Sequence, residues 1–139
     1  MIIMAVDPGD TSGIAVCSVA EHMSTFTILY HEDISLWRGV EAVIDIYHPD
    51  VIVVEQYKLY PHLAAAQSFS TMVASRVLGA VEEIAERRGI LLIEQSASVG
   101  TKIRLPEHIF RQTGKYWTEH TKDCVKHITA YCYGRGIKE

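Results

Sequence analysis

The six residues VIVVEQ, Val51–Gln56, constrain the fold more than any other stretch of the chain. Four successive β-branched residues with no polar alternation describe a strand covered on both faces, as in the interior of a parallel sheet. IIMAV, Ile2–Val6, has the same character. Each run meets a carboxylate at its C-terminal end, Asp7 after the first and Glu55 within the second. A charged residue after four buried positions carries a desolvation cost unless something compensates it.

The rest of the chain supplies partners for such a sheet. DPGDTSG, after the first strand, is turn chemistry, with Pro8 fixing φ and Gly9 and Gly13 permitting tight backbone paths. GIAVCSV and STFTILYHE read as two more strands, joined by the short AEHM. From Ser35 on, Leu36, Val40, Val43, Ile44 and Tyr47 recur at helical spacing until Pro49 stops the run. A long helix is expected over Ala64–Arg88, ending before Gly89, then a strand over Ile90–Gln95. A loop and a short helix beginning near Pro106 follow, and a last helix from about His120 to Tyr133 stops at Gly134. The order β-β-β-α-β-α-β-α predicts an α/β fold with a five-stranded mixed sheet flanked by helices, in a single domain over 1–139.

Composition narrows the class. Hydrophobic content of 48% with mixed charge is that of a folded globular chain. No apolar run approaches a membrane span, and MIIMAV has no basic segment before it, so neither a membrane protein nor a signal peptide is expected. Cys17, Cys124 and Cys132 have no CxxC spacing and read as reduced packing thiols of a cytoplasmic protein. Residues 1–57 hold one basic residue, Arg38, against nine acidic ones, while 58–139 hold twelve basic and eight acidic. An acidic half beside a basic half suits a protein that holds both cations and phosphates, although solvated helix faces also produce such charges.

If the first and fourth strands are neighbours, Asp7 and Glu55 emerge at the same sheet edge, where ligands of open α/β sheets bind. In HTKDCVKH, His120 and Asp123 are three apart and share a helix face. Taken singly, Asp7 suits a turn and Asp123 suits the first turn of a helix. Together, three carboxylates and an imidazole at element ends suit Mg²⁺ or Mn²⁺, and no thiolate cluster or HExxH element points to zinc.

DPGDTSG after an apolar strand, VVEQ ending a second and HTKDCVKHITAYC on the final helix resemble the RuvC family of Holliday-junction resolvases. The order of elements extends the resemblance over most of the chain, but the specific matches are confined to these three motifs. It implies the RNase H-like (retroviral-integrase superfamily) fold. It also implies that Asp7, Glu55 and Asp123 are metal ligands, with His120 where many members carry an acidic residue. An imidazole there leaves the choice between Mg²⁺ and Mn²⁺ open. The implied chemistry is two-metal hydrolysis of a phosphodiester, with Asp7 bridging two ions roughly 3.5–4 Å apart and 5′-phosphate and 3′-hydroxyl products. The implied substrate is branched DNA such as a four-way junction. The implied assembly is a homodimer, for which the broad apolar arc of the helix Ala64–Arg88 (Phe69, Met72, Val73, Val77, Leu78, Val81) offers a second burial partner. The segment between the fifth strand and the last helix is shorter than in cellular members, as in a phage-encoded form.

Candidate DNA contacts surround these ligands. Tyr57 and Tyr60, with Lys58, follow Glu55 directly and are placed to stack on unpaired bases, each worth about 1–3 kcal/mol. Lys102, Arg104, Arg111, Lys115 and Lys122 are candidate phosphate contacts, with Lys102 or Lys115 as the lysine that steadies the scissile phosphate. Three rival readings remain, of which a branched-DNA binder without catalysis would leave the four clustered ligands little reason to be kept. Small RNase H-like nucleases of ribosomal RNA maturation have a similar length, but VVEQ paired with HxxD fits resolvases better. Actin-like ATPases and sugar kinases share the strand–Asp–x–Gly opening, but need a duplicated domain for which 139 residues leave no room.

Overall fold

The computed structural model describes residues 1–20, 26–35, 37–56, 64–112 and 116–134, without the side chains of Phe26 and of 64–71. Five strands, β1 (Ile2–Asp7), β2 (Ser12–Val19), β3 (Phe26–Ile34), β4 (Val51–Gln56) and β5 (Leu91–Ser96), form one sheet in the order β3-β2-β1-β4-β5. The helices are α1 (Trp37–Tyr47), α2 (Ala64–Arg88), α3 (Ala97–Thr101) and α4 (Glu119–Gly134). β1 and β4 are parallel neighbours at the centre, β5 runs parallel outside β4, and β2 and β3 are antiparallel on the other side. This is the expected mixed sheet.

Alternation along the strands sorts the core into two layers. Odd-numbered residues, including Ile3, Ala5, Ala15, Cys17, Val51 and Val53, meet α4 through Val125, Ile128 and Cys132. Even-numbered residues, including Met4, Val6, Ile14, Val16, Ile52 and Val54, meet α1 and α2 through Val40, Ile44, Val77, Val81 and Ile84. The uninterrupted apolar runs of β1 and β4 therefore exist because each strand serves two cores at once. Across the α1–α2 seam, Arg87 reaches Glu41 and Glu83, and Arg88 reaches Glu41 and Asp45.

Several boundaries differ from the sequence-based expectation. β3 continues to Ile34 because β2 starts at Ser12, and Ser12 pairs with Ile34. β5 spans Leu91–Ser96, and α3 follows directly where a loop was expected. Ser96 caps α3 by accepting from the Ser98 amide at 3.4 Å, in a segment too short to display helical periodicity. The helix near Pro106 is a 3-10 turn, Glu107–Arg111. Along α2, Ala74, Val77, Val81, Ile84 and Ala85 are buried against the sheet while Met72 is 62% exposed. All three cysteines are buried free thiols, and burial pushes the Cys17 and Cys124 thiols well up from their ordinary value. No described helix is long and apolar enough to cross a membrane.

Candidate active site

The alternation that builds the α4-side core ends in polar residues. Continuing the odd series, β1 ends at Asp7, β2 begins near Gly13, β4 reaches Glu55 and β5 reaches Gln95. Asp7 is the register partner of Gly13, and Glu55 that of Gln95, while Val6 pairs with Val54 one position earlier. These four residues make a row across the sheet, beneath the N-terminal half of α4. On α4, His120, Asp123, Cys124 and His127 occupy positions i, i+3, i+4 and i+7, one face of the helix, and meet that row.

Gly13 lets the helix come this close. A Cβ there would stand 2.7 Å from the His120 Cβ and 2.9 Å from its carbonyl carbon. Cys124 Sγ, one turn along, donates to the Gly13 carbonyl at 3.3 Å. The approach to α4 is held by aromatic packing: Trp117 stacks on His31 with centroids 3.5 Å apart and meets Phe110 edge-on at 5.1 Å. Thr118 and Thr121 close the first turn, and Thr118 Oγ1 donates to Asp33 at 3.1 Å.

His120 Nδ1 lies 2.8 Å from Asp7 Oδ2. Burial, then the charge of Glu55, pushes the Asp7 carboxyl up to about 6 despite the opposing pull of His120. The His120 imidazole is raised from its ordinary value, chiefly by its hydrogen bond to Asp7. Glu55 moves the other way, held below the usual carboxylate range chiefly by His127, whose Nε2 is 3.5 Å from Glu55 Oε2. Asp123, partly exposed, faces Lys126 Nζ at 3.6 Å. The two neighbouring carboxyls are thus pushed apart, Asp7 upward chiefly by burial and Glu55 downward chiefly by His127.

The donor set, three carboxylates and an imidazole at one sheet edge, suits a hard divalent ion in its chemistry. As they stand, these side chains pair off rather than converge, Asp7 with His120, Glu55 with His127 and Asp123 with Lys126. Among the described residues no group of three or more His, Cys, Asp or Glu is gathered to hold an ion.

Among the basic candidates, Arg104 and Lys122 line one shallow groove with Lys126, Phe110 and Glu119. Lys122 lies over the Phe110 ring at 5.5 Å and reaches Glu119 at 3.8 Å. Lys102 closes α3, and Arg111 ends the 3-10 turn; both are exposed and outside that groove. Tyr57, Lys58, Tyr60 and Lys115 lie outside the described residues. Gly13, Gln95 and His127 were not singled out by sequence reasoning. The signal available for His127 was its place four residues after Asp123 in HTKDCVKH.

No protein-family model and no curated protein matches the chain. Solved structures do. Thermus thermophilus RuvC, in complex with a Holliday junction substrate, superposes with a TM-score of 0.76 at 18% identity, covering 98% of this chain and 96% of that one. The chain has the RNase H-like fold of RuvC. The fowlpox virus Holliday junction resolvase aligns with a TM-score of 0.67 at 15% identity over 97% of this chain and 99% of its own. Ydc2, the yeast mitochondrial Holliday junction resolvase, aligns with a TM-score of 0.68 at 11% identity over 97% and 79%. At these identities the likeness establishes the fold, and the chemistry must come from the side chains.

Proposed function

We propose that the chain is a divalent-metal-dependent endonuclease that nicks branched DNA, with a four-way junction as its substrate and Asp7, Glu55, His120 and Asp123 as its metal ligands. The observation that carries the reading is that β1 and β4, as parallel neighbours, end in Asp7 and Glu55 beneath the face of α4 that bears His120 and Asp123, with His120 already hydrogen-bonded to Asp7, in a fold shared with RuvC. Three acidic residues brought to one place by three separate elements are costly without a cation, and the displaced Asp7 carboxyl reports that cost.

Bound there, one or two Mg²⁺ or Mn²⁺ ions supply an activated water and neutralise charge on the scissile phosphate. The protein's share is to prepare the ligands. Asp7 gives up the proton that burial and Glu55 favour, and His120 releases Asp7 Oδ2. Asp123 would be a further carboxylate to hold the ion, and the Lys126 ammonium 3.6 Å from it would be placed to meet a phosphate oxygen. Arg104 and Lys122, in the adjoining groove, extend that positive surface along the DNA backbone, as affinity for a polyanion requires. Products with 5′-phosphate and 3′-hydroxyl ends follow.

The enzyme works as a homodimer through the outer face of α2, since a four-way junction presents two equivalent strands. The exposure of Met72 and the open space around Gly79 support that face. The test is cleavage of labelled four-way junctions, flaps and linear duplex with Mg²⁺ or Mn²⁺. Paired symmetric nicks confined to the junction are expected. Equal cutting of flaps would widen the substrate to branched DNA in general, and no cleavage of any DNA with either ion would overturn the reading in favour of structured RNA.

A further inference from the structure

We propose that His127, anchored by Gln95, is a positioning residue that holds the Glu55 carboxylate in the orientation metal ligation needs. The inference rests on the metal-site reading above and adds two residues to it. His127 lies one helical turn after Asp123, with its side chain 2% exposed. Its Nδ1 is 2.7 Å from Gln95 Oε1, and its Nε2 faces Glu55 Oε2 at 3.5 Å. Glu55 and Gln95 are register partners on β4 and β5, so the imidazole bridges two adjacent strands from above.

Packing does not call for an imidazole here. The neighbouring buried positions of α4, Cys124, Val125, Ile128 and Cys132, are apolar, and a leucine would fill the place without burying two ring nitrogens. The same holds for Gln95, two residues after Ile93, which packs on that core. A buried imidazole and a half-buried amide on the edge strand, partnered with each other beside one carboxylate, form a supporting shell around that carboxylate.

His120 and His127 occupy one face of α4 two turns apart, yet their settings differ. The His120 side chain is 57% exposed and engages Asp7 through one nitrogen, the other having no partner among the described residues. His127 is sealed, with Nδ1 hydrogen-bonded to Gln95 and Nε2 turned toward the Glu55 carboxylate, a setting that suits orienting a ligand rather than acting as one. A neutral ring has a single N–H to give. Turning the Gln95 amide so that its NH₂ donates to Nδ1 leaves Nε2–H facing Glu55. The 3.5 Å separation is longer than a formed hydrogen bond, and a small shift of either side chain would close it.

The test reads metal binding and not cleavage. Mn²⁺ is titrated into metal-stripped protein, and free Mn²⁺ is followed by its EPR signal. His127→Leu is expected to weaken Mn²⁺ binding about 10–100-fold, with an unchanged circular dichroism spectrum. His127→Gln, which keeps a donor toward Glu55, restores most of the affinity. Gln95→Leu weakens binding in the same direction and adds nothing in the His127→Leu background. Should His127→Leu fail to fold, Gln95→Leu on the half-buried edge strand carries the test.

Wild-type affinity in both leucine variants, or His127→Gln as weak as His127→Leu, would overturn the proposal. So would pulsed-EPR couplings to two imidazole nitrogens instead of one, which would make His127 itself a ligand. Asp7→Asn is the reference. If it leaves Mn²⁺ binding intact, the metal site itself is wrong; if it weakens binding and the His127 and Gln95 variants do not, only the positioning role falls.

Discussion

The two faces of the central sheet are built from the same strands and teach different things. On the even face, Met4, Val6, Ile14, Val16, Ile52 and Val54 meet α1 and α2 in an apolar layer, with the polar Glu94 at its margin on β5 beside Glu82. On the odd face the layer is apolar under the middle of α4 and then changes character, ending in Asp7, Gly13, Glu55 and Gln95. One face has nothing to do but exclude water. The other gives up packing at one end to hold carboxylates that repel each other, which is the usual place for a fold to trade stability for chemistry. A one-residue register slip would exchange the faces, so the valine-rich even core also keeps the carboxylates on the α4 side.

That contrast is broken most severely at Asp7. Asp7→Asn removes the carboxylate pushed up by burial and then by Glu55, and cleavage of a four-way junction is expected to fall about 10³-fold or more, several kcal/mol of lost transition-state stabilisation. Thermal melting of the metal-free variant should be no lower than wild type, because the carboxyl it replaces is destabilised by burial. A variant that loses activity only by unfolding would show the two faces to be equally structural. On the other face, Ile52→Ala, at a position fully buried between β4 and the α1–α2 layer, should cost about 2–5 kcal/mol in denaturant unfolding. Its Mn²⁺ affinity per folded molecule should match wild type. A matching loss of affinity would mean that the even core tunes the site as well as supporting it.

Gly13→Ala tests the seam between the faces. The added methyl meets α4 at His120, including main-chain carbon at 2.9 Å and oxygen at 3.0 Å, which cannot move without shifting the helix. Overpacking of this kind costs about 1–3 kcal/mol. Because the displaced element carries His120 and Asp123, cleavage should fall about tenfold or more, beyond what unfolding explains. A variant with lowered melting temperature and full activity would show that α4 tolerates a shift at its first turn.

How much of this was legible in the sequence follows from the same geometry. The strand VIVVEQ announced itself because two cores demand it, and the parity of Asp7 and Glu55 with the residues facing α4 can be counted along the chain once β1 and β4 are neighbours. Pairing between elements could not be counted. EQ occurs at the end of both β4 and β5, but the register sets Glu55 opposite Gln95, and Glu94 falls on the other face, where it raises Glu82 of α2. Only that one-residue offset turns Gln95 toward His127. Gly13 likewise reads as a turn glycine in DPGDTSG, since its contact, His120, is more than a hundred residues away. Arg104 and Lys122 were chosen by charge and share a groove, whereas charge alone gave no way to separate them from Lys102 and Arg111.

The smallest expected effect is one of pH, and it belongs to the odd face, where the Asp7 carboxyl is pushed up to about 6. With its carboxyl raised to about 6 from an ordinary 3.8, Asp7 is protonated in the folded metal-free protein at pH values where the unfolded chain has lost that proton. Its contribution to stability is therefore greatest below about 3.8 and is lost as pH rises through 6, so this group makes the metal-free protein less stable at pH 7 than at pH 4. A cation reverses the sign by compensating the ionised form. Apparent Mn²⁺ affinity should rise between pH 5 and 7, by up to about tenfold per unit below 6 for one displaced proton. Glu55, held below the carboxylate range by His127, is ionised throughout this window and adds no slope. His120, raised by Asp7, must also shed a proton to ligate and moves the plateau upward. The increase in melting temperature on adding Mn²⁺, measured at pH 5, 6 and 7, should grow at each step and vanish in Asp7→Asn. A shift independent of pH would place the ion away from Asp7, and the polar end of the odd face would then need another explanation.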